Sequence, residues 1–282
     1  MSLSTHIADT TAGPVEYRLE RRGPQTVVVF HGGHMHAGVA LGEDPFLERG
    51  YSVLVPSRPG YGRTPLSIGD TPTAFADVVP HLLRHLEIGA VDAALGISAG
   101  GPFAISMAAR HPDIVGRLVL QSSISSLPWP ETATRIAARI AFNPVTERAT
   151  WAITRLLLRG APRRGLTMLM RSLSTESGRH VLDRLGDSEH RDLLQLFGSM
   201  QSSRGFMSDL EMRLDPDVAR AVSQPTLVMA SRRDGSVPFE HAEELVRLIP
   251  DARLVTSEAP SHLLWFGGPA GDPDDAIRAF LP

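Results

Sequence analysis

The stretch from Ala93 to Gly101, AALGISAGG, decides the fold of this 282-residue chain. It joins a short apolar run to a segment with helical spacing, GPFAISMAAR, and it contains the pattern Gly96-x-Ser98-x-Gly100. Such a G-x-S-x-G pattern is typical of a sharp turn between a strand and a helix that holds a reactive serine outward. Glycine suits the positions two residues before and after this serine, because a side chain there would collide with neighbouring backbone. A lone match also suits an ordinary turn, so its meaning depends on the rest of the chain.

Short apolar runs alternate with helical patterns on both sides of this turn. The apolar runs occur at 26–30, 51–57, 93–97, 116–123, 226–231 and 252–257. The helical patterns between them occur at 73–88, at 99–110 and at about 239–249. Strands that are apolar on both faces and alternate with helices indicate a parallel sheet covered by helices. The sequence therefore predicts an α/β fold, preceded by a hairpin with strands at 5–9 and 15–20.

The strand runs stop between residues 127 and 215. Segments such as TATRIAARIAF and ERATWAITRLLLR have helical spacing there. Pro128 and Pro130 mark the beginning of this region, and Pro216 and Pro225 mark its end. We therefore predict a core domain in two parts, residues 1–126 and 216–282, interrupted by an all-helical insertion at 127–215.

The composition excludes several classes of function. The formal net charge is −3, so no basic field favours nucleic acid or anionic lipid as a partner. The absence of cysteine excludes disulfides and a cysteine nucleophile. The N-terminus lacks a basic stretch followed by an apolar core, and no segment offers the roughly 20 apolar residues of a membrane span. We expect a cytoplasmic protein that binds neither nucleic acid nor membrane. The sequence does not decide whether the chain forms a homodimer.

A serine at the turn needs a base and an acid elsewhere in the chain. Serine is a weak nucleophile at neutral pH, so a histidine has to take its proton and a carboxylate has to orient that histidine. Asp234 follows the run TLVMAS, and His262 follows the run ARLVTS. Taken singly, Asp234 suits a turn or a helix cap and His262 suits an ordinary loop. The order Ser98, Asp234, His262, each just past its own strand, instead predicts a catalytic triad.

These features together resemble the α/β-hydrolase superfamily over nearly the whole chain except the helical insertion. The resemblance rests on HGGH (31–34) after the third strand, SRPGYGRT (57–64) after the fourth, and GISAGG followed by the late Asp and His. It implies a mostly parallel, twisted sheet flanked by helices, with the insertion as a cap over the active site. It also implies that the N–H groups of Gly33 and Ala99 form an oxyanion hole, and that water cleaves an acyl-enzyme on Ser98.

The resemblance leaves the substrate and the reaction open. Because position 98 is serine, members with an aspartate nucleophile, such as epoxide hydrolases and haloalkane dehalogenases, are disfavoured. A carboxylic ester, a thioester, an amide or a carbon–carbon bond of a small molecule could each be cleaved, and no cofactor is required. The same fold and triad also serve acyltransferases, lyases and perhydrolases. A ligand receptor with slow turnover is the rival from another class.

One departure from the family pattern concerns position 57. The Gly-rich segment of the family usually opens with Asp, whereas this chain has Ser57. We expect this difference to alter a structural hydrogen bond rather than catalysis.

The loop HGGHMHAG (31–38) raises the alternative of a metal site. The imidazoles of His31, His34 and His36 could bind zinc, but no acidic cluster nearby completes a site. We therefore expect no metal, and we interpret the loop through its glycines, which let backbone approach a reacting carbonyl closely. His34 and His36 could contact substrate from the rim of the pocket, but we expect them to be exposed loop residues.

The remaining candidates favour structural roles. His111 is expected to end a helix before Pro112, and His241 to lie on a helix that faces the sheet. The arginines from Arg135 to Arg213 are interpreted as solvated surface, because arginine supplies every basic side chain of this lysine-free chain. Five methionines of the insertion suit an adaptable pocket or, with more weight, plain core: Met168, Met170, Met200, Met207 and Met212.

Overall fold

The computed structural model describes residues 3–268 and 272–282. Eight strands form one sheet in the order β1-β2-β4-β3-β5-β6-β7-β8. The strands are β1 His6–Thr10, β2 Gly13–Glu20, β3 Thr26–Phe30, β4 Ser52–Pro56, β5 Ala93–Ile97, β6 Leu118–Gln121, β7 Thr226–Ser231 and β8 Ala252–Ser257. Strand β2 pairs antiparallel with β1 and with β4, and the other neighbours pair in parallel. The predicted α/β fold is confirmed.

The predicted strands are all present, with ends that differ by at most two residues. The largest differences are at β6, which spans Leu118–Gln121 where 116–123 is expected, and at β2, which begins at Gly13. The hairpin turn is therefore Thr11-Ala12, and Gly13 belongs to the strand with a φ of 121°. This backbone conformation favours glycine, which explains the residue at that position.

Twelve α-helices pack around and beside the sheet in the described residues. They are α1 Asp44–Glu48, α2 Pro72–His85, α3 Gly101–Arg110, α4 Thr132–Phe142, α5 Glu147–Gly160, α6 Pro162–Met170, α7 Gly178–Asp183, α8 Asp187–Ser199, α9 Ser203–Glu211, α10 Pro216–Arg220, α11 Glu240–Leu248 and α12 Asp272–Phe280. None of the helices in the described ranges is both long and apolar enough to cross a bilayer.

The sheet is buried on both faces, as its apolar strands predict. Strand β3 is buried at all five positions, and its side chains alternate between the faces. Val28 and Phe30 pack with the core that α2, α3 and α11 cover, whereas Val27 and Val29 pack with the core on the α1 and α12 side. The carboxyl ends of the parallel strands therefore meet at one edge, where connecting loops can converge.

Residues 127–215, which we call the helical segment, contain helices α4 to α9 between β6 and β7. Its interior includes buried Leu166, Met170 and Leu193. The same apolar cluster includes Met35, from the loop after β3, and Leu263, the neighbour of His262. The helical segment therefore packs directly on loops at the carboxyl edge of the sheet.

Candidate active site

Ser98 lies at the turn between β5 and α3 in a strained backbone conformation. Its φ is 52°, a region that non-glycine residues rarely adopt. The turn is also tightly packed: a Cβ on Gly100 would lie 2.0 Å from the Phe30 carbonyl oxygen, and one on Gly96 would lie 2.7 Å from the Gly101 Cα. Both glycines of the motif are therefore required sterically, and Ser98 is held at the carboxyl edge of β5.

Asp234 and His262 are joined by a short hydrogen bond in a buried position. His262 Nδ1 donates to Asp234 Oδ2 at 2.7 Å, and the side chains of Asp234 and His262 are nearly inaccessible. The other carboxylate oxygen, Oδ1, accepts from the backbone N–H groups of Ser236 at 2.7 Å and Val237 at 2.8 Å. An ionised carboxylate only accepts hydrogen bonds, so Nδ1 carries the proton and Nε2 of the neutral ring is free to accept another.

The sheet order brings these loops together. Strands β5, β6, β7 and β8 are consecutive neighbours, so residues just past β5, β7 and β8 lie at one edge. The loop after β6 bridges the two sides: Ile124 N–H donates to the Ser98 carbonyl at 3.2 Å, and Ser122 Oγ donates to the His262 carbonyl at 2.9 Å. Among the described contacts, Ser98 Oγ has no hydrogen bond to His262, a bond that often tightens only when substrate is bound.

The loop after β3 lies against Ser98 on the other side. A Cβ added to Gly32 would be 3.4 Å from Ser98 Cβ, which is ordinary contact distance. Gly33, the next residue, faces Phe206 of α9. Ala99 is fully buried in the first turn after the nucleophile position. Of the two predicted oxyanion residues, Ala99 therefore belongs to the Ser98 turn itself, and Gly33 belongs to the loop that packs beside it.

The three histidines of this loop are packed in three different ways. His31 is buried: the Arg58 N–H donates to its Nε2 at 3.0 Å, and its Nδ1 is 2.9 Å from the Gly32 carbonyl oxygen. Burial, and then the Arg58 charge, hold the pKa of His31 well below its usual value. His36 is also buried, and its Nδ1 accepts from the Gly38 N–H at 3.1 Å.

His34 contradicts the expectation of an exposed loop residue, as does His36. Its ring lies among Phe142, Trp151 and Phe206, all from the helical segment. Burial, and then the Arg58 charge, lower the pKa of His34 to about 3. The expectation is wrong because helices distant in sequence cover the loop, which no local pattern reveals.

No group of three or more His, Asp or Glu side chains within residues 3–268 and 272–282 is arranged to bind a metal.

The sequence reasoning missed an ion pair directly behind this loop. Arg58, fully buried just after β4, donates from Nη1 to Asp209 Oδ1 at 2.7 Å and from Nη2 to Oδ2 at 2.9 Å. Burial lowers the pKa of the Arg58 guanidinium, but the Asp209 carboxylate more than offsets this and raises it above the usual value. Tyr61 donates its hydroxyl hydrogen to Asp209 Oδ2 at 2.5 Å. The only signal for Arg58 was its place in SRPGYGRT.

The backbones of the same two regions also touch. Gly205 N–H, in α9, donates to the Gly60 carbonyl at 2.9 Å. A Cβ on Gly205 would lie 2.2 Å from the ring of Tyr61, so only glycine allows this approach. The loop 57–64 and helix α9 are therefore joined by both an ion pair and a backbone hydrogen bond.

Ser57 makes the altered hydrogen bond that its difference from the family pattern suggests. Its Oγ donates to Glu16 Oε2 at 2.7 Å and accepts from the Ala37 N–H at 2.9 Å. Burial raises the pKa of Glu16, but hydrogen bonds from Ser57 and Arg63 outweigh it and leave the pKa lowered. A carboxylate from β2 therefore occupies the neighbourhood where the family usually has an aspartate.

His111 and His241 are structural, as expected. His111 follows the last residue of α3, and its Nε2 is 3.1 Å from Asp77. His241 is buried, and its Nδ1 accepts from the Ser125 N–H at 3.0 Å. Residues Leu245, Leu248 and Ile249 are buried against the sheet.

The methionines of the helical segment lie in its core, on its surface and in a cleft, and two of its arginines form ion pairs on the surface. Met170 is fully buried in the core of the segment, whereas Met168 is 48% exposed. Met207 and Met212 line a cleft of about 790 Å³ between α9 and the beginning of α2, which Ser98, Asp234 and His262 do not line. Two arginines form exposed ion pairs, as a solvated surface predicts: Arg139 with Glu211, and Arg163 with Asp183.

Comparison with known proteins identifies a family and several relatives. The family model described as alpha/beta hydrolase fold matches residues 25–269. The uncharacterized hydrolase YcgS of Bacillus subtilis is 30% identical over 273 residues, which is 95% of each chain. The pimeloyl-[acyl-carrier protein] methyl ester esterase of Aromatoleum aromaticum is 30% identical over 266 residues, 86% of this chain and 93% of its own. An alpha/beta hydrolase fold protein from Nakamurella multipartita has a TM-score of 0.82 at 25% identity, with 99% of each chain covered.

Proposed function

Because this chain belongs to the α/β-hydrolase family and is an esterase-like hydrolase, we propose that it cleaves a small-molecule ester-type bond through an acyl-enzyme on Ser98. Ser98 Oγ attacks the carbonyl carbon while His262 Nε2 takes the hydroxyl proton, and His262 then gives that proton to the leaving group. Water, activated by the same imidazole, attacks the acyl-enzyme and releases the acid. No step calls for a cofactor.

The hydrogen bond between His262 and Asp234 carries this proposal. Its 2.7 Å length, and the two backbone N–H groups that hold the other carboxylate oxygen, leave the imidazole one orientation and one tautomer. That tautomer presents Nε2 as the acceptor, which a general base requires. When Nε2 takes the serine proton, the buried Asp234 carboxylate stabilises the imidazolium.

We assign the oxyanion hole to the N–H groups of Gly33 and Ala99. Charge develops on the carbonyl oxygen of the substrate as Ser98 attacks, and two fixed donors stabilise it. The contact of Gly32 with Ser98 and the position of Ala99 at the beginning of the helical turn support this assignment.

The helical segment, residues 127–215, serves as the cap in this proposal, with the core formed by residues 1–126 and 216–282. Leu173 of the segment supplies one carbonyl that accepts from His262 N–H at 2.7 Å and from Gly235 N–H at 3.2 Å. Ser174 forms a bridge with Asp234. Contacts this close to Asp234 and His262 support a cap that excludes water and shapes the acyl pocket.

Of the open bond types, we propose a carboxylic ester as the substrate of this chain. The Aromatoleum relative is named a methyl ester esterase, and its alignment, at 30% identity, covers 86% of this chain. We therefore place carboxylic esters ahead of thioesters, amides and carbon–carbon bonds as substrates.

The experiment is active-site labelling followed by ester hydrolysis. Wild type, Ser98→Ala and His262→Ala are treated with a fluorophosphonate, and the label is mapped by peptide mass spectrometry. Ser106→Ala is the matched control, because this buried serine has a hydroxyl with no hydrogen-bond partner. We expect labelling at Ser98 in wild type and Ser106→Ala, and its loss in the other two variants. Hydrolysis of p-nitrophenyl esters of increasing acyl length then measures the pocket.

The same experiment separates the rival functions. Labelling at Ser98 with esters consumed only when an alcohol or peroxide acceptor is added would identify a non-hydrolytic acyl-transfer enzyme. A protein that is stabilised by ligands in a thermal-shift screen, but neither labels nor turns over, would be a receptor, and the hydrolase proposal would be rejected.

A further inference from the structure

The Arg58 guanidinium connects the predicted oxyanion loop to the helical segment. Its Nε donates to the His31 carbonyl at 2.8 Å, and its Nη2 donates to the Gly32 carbonyl at 3.1 Å. The remaining bonds go to both oxygens of Asp209 on α9. The guanidinium carbon also lies 4.8 Å from the ring centroids of both Tyr61 and Phe103. The group is thus fixed on every side.

The bond to the Gly32 carbonyl determines the direction of the Gly33 N–H. These two groups belong to one planar peptide unit, and in a trans peptide the C=O and the N–H point in opposite directions. Holding the carbonyl against Arg58 therefore aims the N–H away from Arg58. A cationic donor on the carbonyl oxygen also polarises the amide and makes its N–H a stronger donor.

Two side-chain donors restrain this otherwise flexible peptide unit at the Gly32 carbonyl oxygen: Arg58 Nη2 at 3.1 Å and His31 Nδ1 at 2.9 Å. It is flanked by Gly32 and Gly33, and glycine populates more backbone conformations than any other residue. An oxyanion donor on such a unit needs an external constraint, since a donor that must reorient during the reaction stabilises the transition state less. Arg58 supplies this constraint directly through Nη2. Its backbone N–H also donates to His31 Nε2, which leaves the ring hydrogen on Nδ1, facing the same Gly32 carbonyl.

Asp209 fixes Arg58 in turn. Its carboxylate accepts two hydrogen bonds from the guanidinium and one from the Tyr61 hydroxyl, whose pKa is raised well above its usual value by burial and then by Asp209. A Cβ on Gly33 would be 3.9 Å from Asp209 Oδ2, so helix α9 reaches the loop itself. Without this partner, the guanidinium would be a buried, unpaired charge.

We propose that Arg58 and Asp209 are positioning residues for the oxyanion hole: Arg58 aims the Gly33 N–H through the Gly32 carbonyl, and Asp209 of the helical segment holds Arg58. This inference rests on the proposed function. It makes correct seating of α9 a condition for the oxyanion hole, so the helical segment contributes to the chemical step as well as to enclosure.

The test separates positioning from a structural role by comparing two kinds of ligand. A trifluoromethyl ketone forms a hemiketal with an active serine, and its oxyanion occupies the oxyanion hole. The methyl ketone of the same chain binds without forming an appreciable adduct. The Ki of both ketones, together with kcat and KM for a p-nitrophenyl ester, is measured for wild type, Arg58→Lys, Arg58→Met and Asp209→Asn.

A matched control is available on the other side of the loop. Arg18 is also buried, pairs with both oxygens of Glu43 and donates to the Ala37 carbonyl at 3.0 Å, but it does not contact the Gly32 peptide. Arg18→Lys therefore reproduces the loss of a buried bidentate ion pair near this loop while leaving the Gly32 carbonyl bonded to Arg58.

We expect Arg58→Lys to lower kcat by about 10-fold and Arg58→Met by about 100-fold, with KM within about twofold, since one oxyanion donor is worth about 10²–10³ in rate. The Ki of the trifluoromethyl ketone should rise by the same factors, and that of the methyl ketone should not change. Asp209→Asn should follow the same trend with a smaller amplitude. In Arg18→Lys only the melting temperature should fall.

Three results would overturn the inference. The first is a trifluoromethyl ketone Ki that is unchanged in folded Arg58→Lys and Asp209→Asn. These two variants are sufficient for the test if Arg58→Met is insoluble. The second is a loss of kcat without any rise in that Ki. The third is an equal rise in Arg18→Lys. Labelling of wild type by a fluorophosphonate distinguishes failure of this inference from failure of the proposed function. If Ser98 is labelled, only the inference about Arg58 and Asp209 fails; if Ser98 is not labelled, the proposed function fails as well.

Discussion

The imidazole of His34 lies against the ring of Phe206, with centroids 3.8 Å apart and planes inclined by 34°. Trp151 Nε1 donates to Ser202 Oγ at 2.9 Å, and Ser202 Oγ is 2.7 Å from His34 Nδ1. An indole N–H only donates, so the serine hydroxyl accepts from Trp151 and keeps one further hydrogen bond for the His34 ring. His34 is therefore held by the helical segment on two sides, by the Phe206 ring and by the Ser202 hydroxyl.

Acid should destabilise the protein partly through His34. Its folded-state pKa of about 3 lies below the reference value of 6.5. Between these values the unfolded chain binds a proton that the folded chain does not, so stability falls as the pH falls from about 6.5 toward 3. The limit for one histidine is about 1.4 kcal/mol per pH unit. His34 has a φ of 62°, which asparagine tolerates. We therefore expect His34→Asn to show a shallower loss of stability over this range.

Urea unfolding of wild type and His34→Asn at pH 7, 6, 5 and 4 measures this slope. His180→Asn is the control, because His180 is 63% exposed. His31, His36 and His241, whose pKa values burial also lowers, keep part of the acid sensitivity in every variant. Identical slopes for His34→Asn and wild type would show that His34 is protonated as readily in the folded chain as in the unfolded one.

Asp234→Asn should remove activity while preserving the fold. The amide oxygen can still accept from the N–H groups of Ser236 and Val237, so the loop keeps its hydrogen bonds. The charge that stabilises the imidazolium is lost, and kcat/KM should fall by about 10³–10⁴. Ester kinetics and a thermal melt check both parts. A variant that retains more than about a tenth of wild-type kcat/KM would exclude Asp234 as the triad acid.

Gly100→Ala should disrupt folding severely. The added methyl group would lie 2.0 Å from the Phe30 carbonyl oxygen and 2.6 Å from that of His31, both backbone atoms that cannot move aside. We expect a loss of more than about 3 kcal/mol or an insoluble product. Gly198→Ala is the control, because nothing lies within 4 Å of its Cβ position in α8, and it should stabilise the helix by about 0.5–1 kcal/mol. Chemical denaturation compares the two, and equal stabilities would contradict the steric account.

Ser57→Asp, which restores the usual residue of the family, should destabilise this protein. A carboxylate at position 57 would face the Glu16 carboxylate, which now accepts from the Ser57 hydroxyl at 2.7 Å. Two carboxylates at this distance repel, and we expect a loss of about 1–3 kcal/mol at pH 7. The double variant Ser57→Asp with Glu16→Gln should recover at least about 1 kcal/mol relative to additivity. A double-mutant cycle of unfolding free energies measures this coupling, and strict additivity would argue against the pairing.

The sequence predicts the elements of this protein better than their contacts. The positions of Ser98, Asp234 and His262 follow from local signals, since each comes directly after a buried strand and parallel strands end at a common edge. Strand ends shifted by at most two residues because pairing partners decide where a ladder ends.

Contacts between distant segments could not be predicted in the same way. Arg58 and Asp209 are 151 residues apart, and nothing near Asp209 in the sequence distinguishes it from a solvated helix residue. His34 is half-buried because Phe142, Trp151 and Phe206 surround its ring, and the orientation of these rings follows from how α4, α5 and α9 pack. Helix packing is a tertiary property, and hydrophobic spacing alone does not specify which loop it covers.

The junction between α9 and the loop 57–64 defines which parts of the chain can be exchanged with a relative. The insertion ends at residue 215 by sequence, yet Gly205 bonds to Gly60 and Asp209 pairs with Arg58. A chimera that exchanged the whole insertion would leave a foreign helix against a loop shaped for this one. Exchange of α4 to α8 alone, with residues 203–211 retained beside their own loop, would keep this junction intact. It would still replace Leu173, whose carbonyl accepts from the His262 and Gly235 N–H groups, so that carbonyl has to be reproduced in the chimera.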